Sequence, residues 1–184
     1  MMNITHYEYD GRIILIQDMF LDNYLRLLMK DLKDTTDFEA TQWNPRQEAF
    51  YGNEGVKYTY SGKGFEAIPW YDHSTLIILD KIYEKLVQED IFTGVDRPTF
   101  NCCLINRYKD GNSSVGWHAD DEPELGQNPT IMSLSLGATR TFRIRHKKES
   151  NQRLDIPLKH GAVVIMDGAF QHNWLHNVPK ENVP

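Results

Sequence analysis

Cysteine is nearly absent from this sequence: there are two, Cys102 and Cys103, and they are neighbours. On a strand they point to opposite faces, so they supply neither a disulfide framework nor a Cys-x-x-Cys zinc site, and a reducing interior is the expectation. Long apolar runs are missing too. The longest near the start, Ile13-Ile-Leu-Ile16, is far too short for a signal-peptide core or a membrane span. An excess of basic charge is also lacking, for the formal net charge is -6. That excludes a surface that binds polyanions all over, yet leaves room for a local basic patch, because affinity for phosphate follows the local field. The expectation is a soluble intracellular monomer with no membrane partner, cytoplasmic if prokaryotic and nuclear if eukaryotic.

What is present suffices for one core. A chain of 184 residues, 40% hydrophobic and 11% aromatic, has the size of a single ordinary domain. Residues 12–17 read as a short buried strand. Asp18 is placed to cap a helix running to about Lys33, with Leu21, Leu25, Leu28 and Leu32 on one apolar face. A second helix over residues 74–88 carries Leu79, Ile82, Tyr83 and Leu86 at helical spacing. Between the two, from Trp43 to Trp70, aromatics and glycines accumulate without a helical period. Tyr51, Tyr58 and Tyr60 suit the core of a hairpin. Beside Arg46 and Lys57 they also suit a surface that stacks on bases and touches phosphate.

After Pro98 the pattern becomes almost entirely β. Strands are expected at 100–108, 115–118, 131–136, 141–146, 154–158, 162–166 and 172–178, punctuated by Gly111, Gly116, Gly137, Gly161 and Gly168. Such a series predicts a mainly β fold with flanking helices (α+β), a double-stranded β-helix of the jelly-roll or cupin kind. Residues 99–184 would form its core, and the two helices would buttress one outer sheet face. The polar connection 121–129 is placed to act as a lid.

His118 and Asp120 stand two apart on one of these strands. Residues i and i+2 share a face, roughly 6.5–7 Å apart, so an imidazole and a carboxylate there can share a metal ion. A distant histidine would complete the two-histidine, one-carboxylate set of non-haem Fe(II) oxygenases. His6 and His73 lie outside the β-region, and His160 sits at a turn before Gly161. His172 and His176 share strand parity but are separated by about 13 Å, so both cannot bind one ion. Geometry leaves the choice between them open.

Several segments together resemble the AlkB family of Fe(II)- and 2-oxoglutarate-dependent dioxygenases, with the likeness strongest to homologues that repair DNA in eukaryotes. They are Asn106-Arg-Tyr-Lys-Asp-Gly, Trp117-His-Ala-Asp-Asp-Glu-Pro, Ser133-Leu-Ser-Leu-Gly-Ala-Thr-Arg-Thr-Phe142, His160-Gly-Ala-Val-Val-Ile-Met and Trp174-Leu-His-Asn-Val-Pro179. The resemblance runs from about Pro45 to Pro179 and implies His176 as the third ligand. It also implies that Asn106 and Tyr108 face 2-oxoglutarate, and that Tyr60 sandwiches a damaged base against the ligand histidine. Asp121 would lie near the exocyclic amine of that base, with Tyr58 and Glu122 lining the same pocket. Residues 1–98 would then carry helices and nucleotide-recognition hairpins. Arg145, Lys147 and Lys148, on a hairpin with Arg143 and Arg153, match a region the family uses to hold DNA, and Arg46 is expected to contact the backbone as well.

The activity so implied is oxidative demethylation of N-alkylated bases of the 1-methyladenine or 3-methylcytosine type, in DNA or RNA. Iron, 2-oxoglutarate and O2 would be consumed or held, and formaldehyde and succinate released. Two other classes stay open: a nucleic-acid-binding module without catalysis, and an oxygenase of protein or small molecules. The family ends its domain with an Arg-x-Asn-x-x-x-Arg strand, whose first arginine grips 2-oxoglutarate. This chain stops at Glu181-Asn-Val-Pro184, so the expectation is an incomplete jelly roll that binds iron but 2-oxoglutarate poorly. Lys159, Lys180 and Arg140 are the cations that would have to stand in.

Overall fold

An N-terminal hairpin, hidden in the sequence by its polar first strand, opens the chain. β1 (Asn3–Tyr9) pairs antiparallel with β2 (Gly11–Gln17). The turn needs Gly11, whose φ is +114° and whose missing Cβ would fall 2.3 Å from the backbone nitrogen of Phe170. The computed structural model describes residues 2–39, 46–60, 62–92, 97–149 and 151–183. Trp43 to Pro45, the start of the aromatic stretch, lie outside the described residues.

The remaining elements follow in order: α1 (Asp22–Thr35), β3 (Gln47–Gly52), β4 (Lys57–Tyr60), β5 (Lys63–Glu66), β6 (Ile68–Pro69) and α2 (Ser74–Gln88). Then come β7 (Cys102–Arg107), β8 (Val115–His118), β9 (Ile131–Leu134), β10 (Arg140–His146), β11 (Arg153–Leu158) and β12 (Val163–Asp167). The one-turn helix α3 (Phe170–Asn173) leads into β13 (Trp174–Val178).

Two four-stranded sheets, ordered β1-β2-β12-β9 and β11-β10-β13-β8, form the jelly roll. Alternation along β2 and β12 explains why both strands read as unbroken apolar runs. Ile13, Leu15, Val164 and Met166 face the inner core with Phe142, Ile144, Ile156 and Trp174. Ile14, Ile16, Val163 and Ile165 face outward, against Leu28 of α1 and Ile78, Ile82 and Leu86 of α2. The helices therefore cover one outer sheet face, as the pattern predicts. A three-stranded sheet β6-β3-β7 and the hairpin β4-β5 stand beside this body.

Three sequence expectations need correction. The sheet core is not confined to residues 99–184, because β2 hydrogen-bonds to β12 along five register pairs from Ile16↔Val163 to Arg12↔Asp167. Asp18 does not cap α1. It takes a left-handed φ of 59° and turns the chain out of β2, and the residue before the helix is Leu21. Leu21 itself is 76% exposed, so the buried face of α1 begins only at Leu25. No helix among the described residues is long and apolar enough to cross a membrane.

Candidate metal centre

β8 and β13 are neighbours in one sheet, and their register sets His118 directly opposite His176. The register slips between His176 and Val178; an irregularity of this kind re-aims a side chain beside a site. The two imidazoles approach with ring centroids 4.2 Å apart. Asp120, two residues past His118, completes a group whose ligand atoms all lie within 4.8 Å of one another.

The distances within that group do not describe a hydrogen-bonded cluster. Asp120 Oδ2 is 3.5 Å from His176 Nε2, and Oδ1 is 3.9 Å from His118 Nε2. Both exceed the roughly 2.7–3.2 Å of a hydrogen bond. Atoms about 2.1 Å from one shared ion stand roughly 3 to 3.5 Å apart, so the two carboxylate–imidazole distances already approach that range, and the group as a whole, spanning up to 4.8 Å, must draw in around an ion.

Protonation agrees with that use. His118 Nδ1 lies 2.8 Å from the carbonyl of Gly116. A carbonyl only accepts, so Nδ1 carries the proton and Nε2 keeps its lone pair toward Asp120. His176 is buried, and its Nδ1 has no hydrogen-bond partner among the described residues. Burial holds both imidazoles below their ordinary value, His176 far below it with a further push from His118. The Asp120 carboxyl is pushed up to about 7, first by burial and then by Glu122 and Asp121. Neutral imidazoles beside a carboxylate crowded by other acids make a site that a divalent cation would relieve.

His172 is placed elsewhere. It belongs to α3, is exposed, and bonds to the Gln127 carbonyl and, at 3.1 Å, to Asn128 Oδ1. The strand parity read from sequence fails there because the chain makes one helical turn before β13.

Around the group stands an aromatic and polar wall. The Tyr60 ring lies 5.8 Å from that of His118, edge-on at 75° rather than parallel. Tyr58 stacks on Tyr60 at 6.3 Å and donates its hydroxyl to Glu122 Oε2 at 3.0 Å. Tyr108 lies under the Arg140 guanidinium, 5.3 Å from the ring, and burial raises its phenol while Arg46 and Arg140 work against that. Asn106 is exposed on β7, opposite Glu48. Asp121 is half exposed and paired with Lys147 at 3.2 Å.

The expected backbone contacts divide. Arg46 is corrected: it is 6% exposed, its Nε donates to Glu48 Oε1 at 2.9 Å, and its guanidinium lies 5.5 Å from the Tyr60 ring. A buried arginine paired this way braces Tyr60 instead of facing phosphate. Lys147 is also turned inward, donating to Asp121 and, at 2.8 Å, to the Gln171 carbonyl. Arg145 lies over the Trp117 ring at 4.3 Å. Arg143, Lys148 and Arg153 are exposed along the β10–β11 hairpin. Arg140, considered as a grip for 2-oxoglutarate, is buried and donates to the carbonyls of Ser113 and Pro179 and to Glu181. Its fork joins the 110–113 loop to the 179–181 segment.

A model of the 2OG-Fe(II) oxygenase superfamily matches residues 21–183, and the chain belongs to that superfamily. Within it, the likeness is to AlkB homologues. Human alpha-ketoglutarate-dependent dioxygenase alkB homolog 3 is 42% identical over 151 residues, covering 78% of this chain and 49% of that protein. Human DNA oxidative demethylase ALKBH2 is 39% identical over 142 residues, covering 73% of this chain and 50% of that protein. The chain thus spans about half the length of these relatives. A solved structure, titled "The structure of OsALKBH1", shares the fold with a TM-score of 0.62 at 18% identity, covering 99% of this chain and 91% of that one.

Proposed function

We propose that the chain is an oxidative demethylase of N-alkylated nucleic-acid bases, DNA first and RNA second. The observation that carries this reading is the joining of two features: a His118–Asp120–His176 group of metal-ligand geometry, and a tyrosine 5.8 Å from one of its histidines. In this reading the three side chains hold Fe(II), and Asn106 and Tyr108 face 2-oxoglutarate. Iron with 2-oxoglutarate and O2 supplies the oxidising power when bound. The protein keeps both imidazoles unprotonated, fixes the His118 tautomer through Gly116, and excludes water with the Tyr58–Tyr60 wall.

A methylated base inside a duplex cannot reach such a group, so it must be flipped out and stacked. Methylation on the pairing edge lowers the cost of flipping and favours damaged over intact bases. Tyr60 is the stacking partner, and its edge-on ring must turn to lie parallel to the base. Glu122 and Asp121 offer acceptors to an exocyclic amine, while Arg143, Lys148 and Arg153 meet the backbone. The names of the two human relatives, an alpha-ketoglutarate-dependent dioxygenase and a DNA oxidative demethylase, support this reading.

The test is formaldehyde release from oligonucleotides carrying 1-methyladenine or 3-methylcytosine, with and without Fe(II) and 2-oxoglutarate. Release that requires both and is absent from unmethylated strands is the expected result. Iron-dependent succinate formation that methylated strands do not stimulate would instead assign another substrate. No succinate under any condition would leave a binding module.

A further inference from the structure

Gln171 has no exposed surface, and its surroundings are poor for an amide. Among the described residues its Nε2 has only the Met166 sulfur, at 3.8 Å, a weak acceptor. Burying an amide without good partners costs free energy, so packing alone gives no reason for a glutamine here. The other end of the side chain is well used. Gln171 Oε1 accepts the backbone N–H of Asp120 at 2.9 Å, and only an oxygen can face that donor, which settles the orientation of the amide.

The backbone of Gln171 is held as well. Its carbonyl accepts Lys147 Nζ at 2.8 Å, and the same ammonium reaches Asp121 Oδ2 at 3.2 Å. Residues 120 and 121 lie past the last residue of β8, where no sheet pairing fixes the chain. Two bonds from α3 and the β10–β11 turn therefore do the work that a strand partner would do.

We propose that Gln171 is a positioning residue for the metal group: it fixes the main chain at Asp120 so that the carboxylate faces His118 and His176. Lys147 steadies Gln171 in that position from the other side. The inference rests on the metal reading above and adds to it a residue that is neither a ligand nor in contact with substrate. Outer partners that orient a ligand commonly change metal affinity by about 10- to 100-fold when removed.

The experiment is Mn(II) titration of the full 184-residue chain, following the free-ion EPR signal, with thermal unfolding of the metal-free protein alongside. Gln171→Met keeps the shape and removes the acceptor, so Mn(II) affinity should fall about 10-fold or more. Gln171→Glu keeps an acceptor oxygen for the Asp120 N–H in either protonation state and should bind Mn(II) more tightly than the methionine variant. Lys147→Met removes the bond to the Gln171 carbonyl and should weaken Mn(II) about two- to fivefold, and it decides the matter if Gln171→Met does not fold. A Gln171→Met protein that loses thermal stability but binds Mn(II) like the parent would show a purely structural role. Equal losses in the methionine and glutamate variants would also overturn the proposal. A parent chain that binds no Mn(II) would remove the metal reading itself, a result distinct from either of these.

Discussion

Tyr58 donates its phenolic hydrogen to Glu122 Oε2 across 64 residues of sequence, joining β4 to the connection that follows the metal strand. Burial and the neighbouring acids hold the Tyr58 phenol well above its ordinary value, so it remains a donor throughout the working pH range. A bond to a charged acceptor contributes about 1.5–3 kcal/mol when buried and less where water can replace it. Tyr58→Phe should therefore speed amide exchange in residues 122–128 by about fivefold and leave global stability nearly unchanged. Exchange at the parent rate would mean that His172 and Lys147 alone hold the connection.

Removing Asp120 or His176 by alanine substitution should abolish tight Mn(II) or Fe(II) binding. His172→Ala should leave it intact and loosen only the contacts to Gln127 and Asn128. Calorimetric titration of the three variants checks this, and loss in His172→Ala alone would move the site.

Base–aromatic stacking is worth roughly 1–3 kcal/mol per base. Tyr60→Ala should accordingly reduce turnover on methylated oligonucleotides by about 10- to 100-fold while Mn(II) affinity stays the same. Parent-like turnover would take Tyr60 out of the base pocket.

Arg46 and Glu48 are both nearly enclosed, at 6% and 3% exposure. Arg46→Ala leaves the buried Glu48 carboxylate with the more distant Lys63, 3.9 Å away, and should destabilise the protein by up to about 3 kcal/mol, whereas Arg46→Met with Glu48→Met should recover most of that loss. Urea unfolding of the two proteins distinguishes them. Neither change should alter the salt dependence of nucleic-acid binding. Neutralising Arg143 and Lys148 together should lower the slope of log affinity against log salt by up to about two, and an unaltered slope would make the β10–β11 hairpin a solvated tip.

The Glu181 carboxyl lies below its ordinary value: burial opposes ionisation, but bonds from the Thr141 hydroxyl and amide and from Arg140 outweigh it. Its folded-state value is thus below the unfolded one. The stabilisation is complete above the unfolded value, about 4.3, and disappears as pH falls through the folded value. Glu181→Gln should melt at a lower temperature than the parent at pH 7, with the gap closing below about pH 4. A gap that does not depend on pH would assign the effect to packing.

Much of this architecture was legible because single segments carry it. The runs in β2 and β12 are apolar on both faces and read as strands, and α2 announces itself by its period. Spacing makes His118 and Asp120 legible as a pair, whereas His176 comes from the family resemblance alone, since α3 breaks the strand parity that makes His172 and His176 look alike. Gln171 gave no signal, for a lone glutamine has no pattern and its role exists only once α3 meets residue 120. The burial of Arg46 is illegible for a similar reason. Its partner Glu48 is two residues away, and nothing local says that both would be buried rather than facing solvent.

The pairing of β2 with β12 has a consequence for how the chain acquires its shape. Arg12 meets Asp167 across 155 positions, and loop closure over such distances slows folding. During synthesis the hairpin β1–β2 emerges early, and the edge of β2 that pairs with β12 stays open, with Ile13 and Leu15 uncovered by the inner core strands, until the second half of the chain is made. A strand of that kind, waiting with an open edge, is where chains pair with one another instead of with themselves. Refolding yield should fall as protein concentration rises, and replacing Ile14, on the helix side, with lysine should worsen stability yet reduce the aggregated fraction formed before β12 arrives.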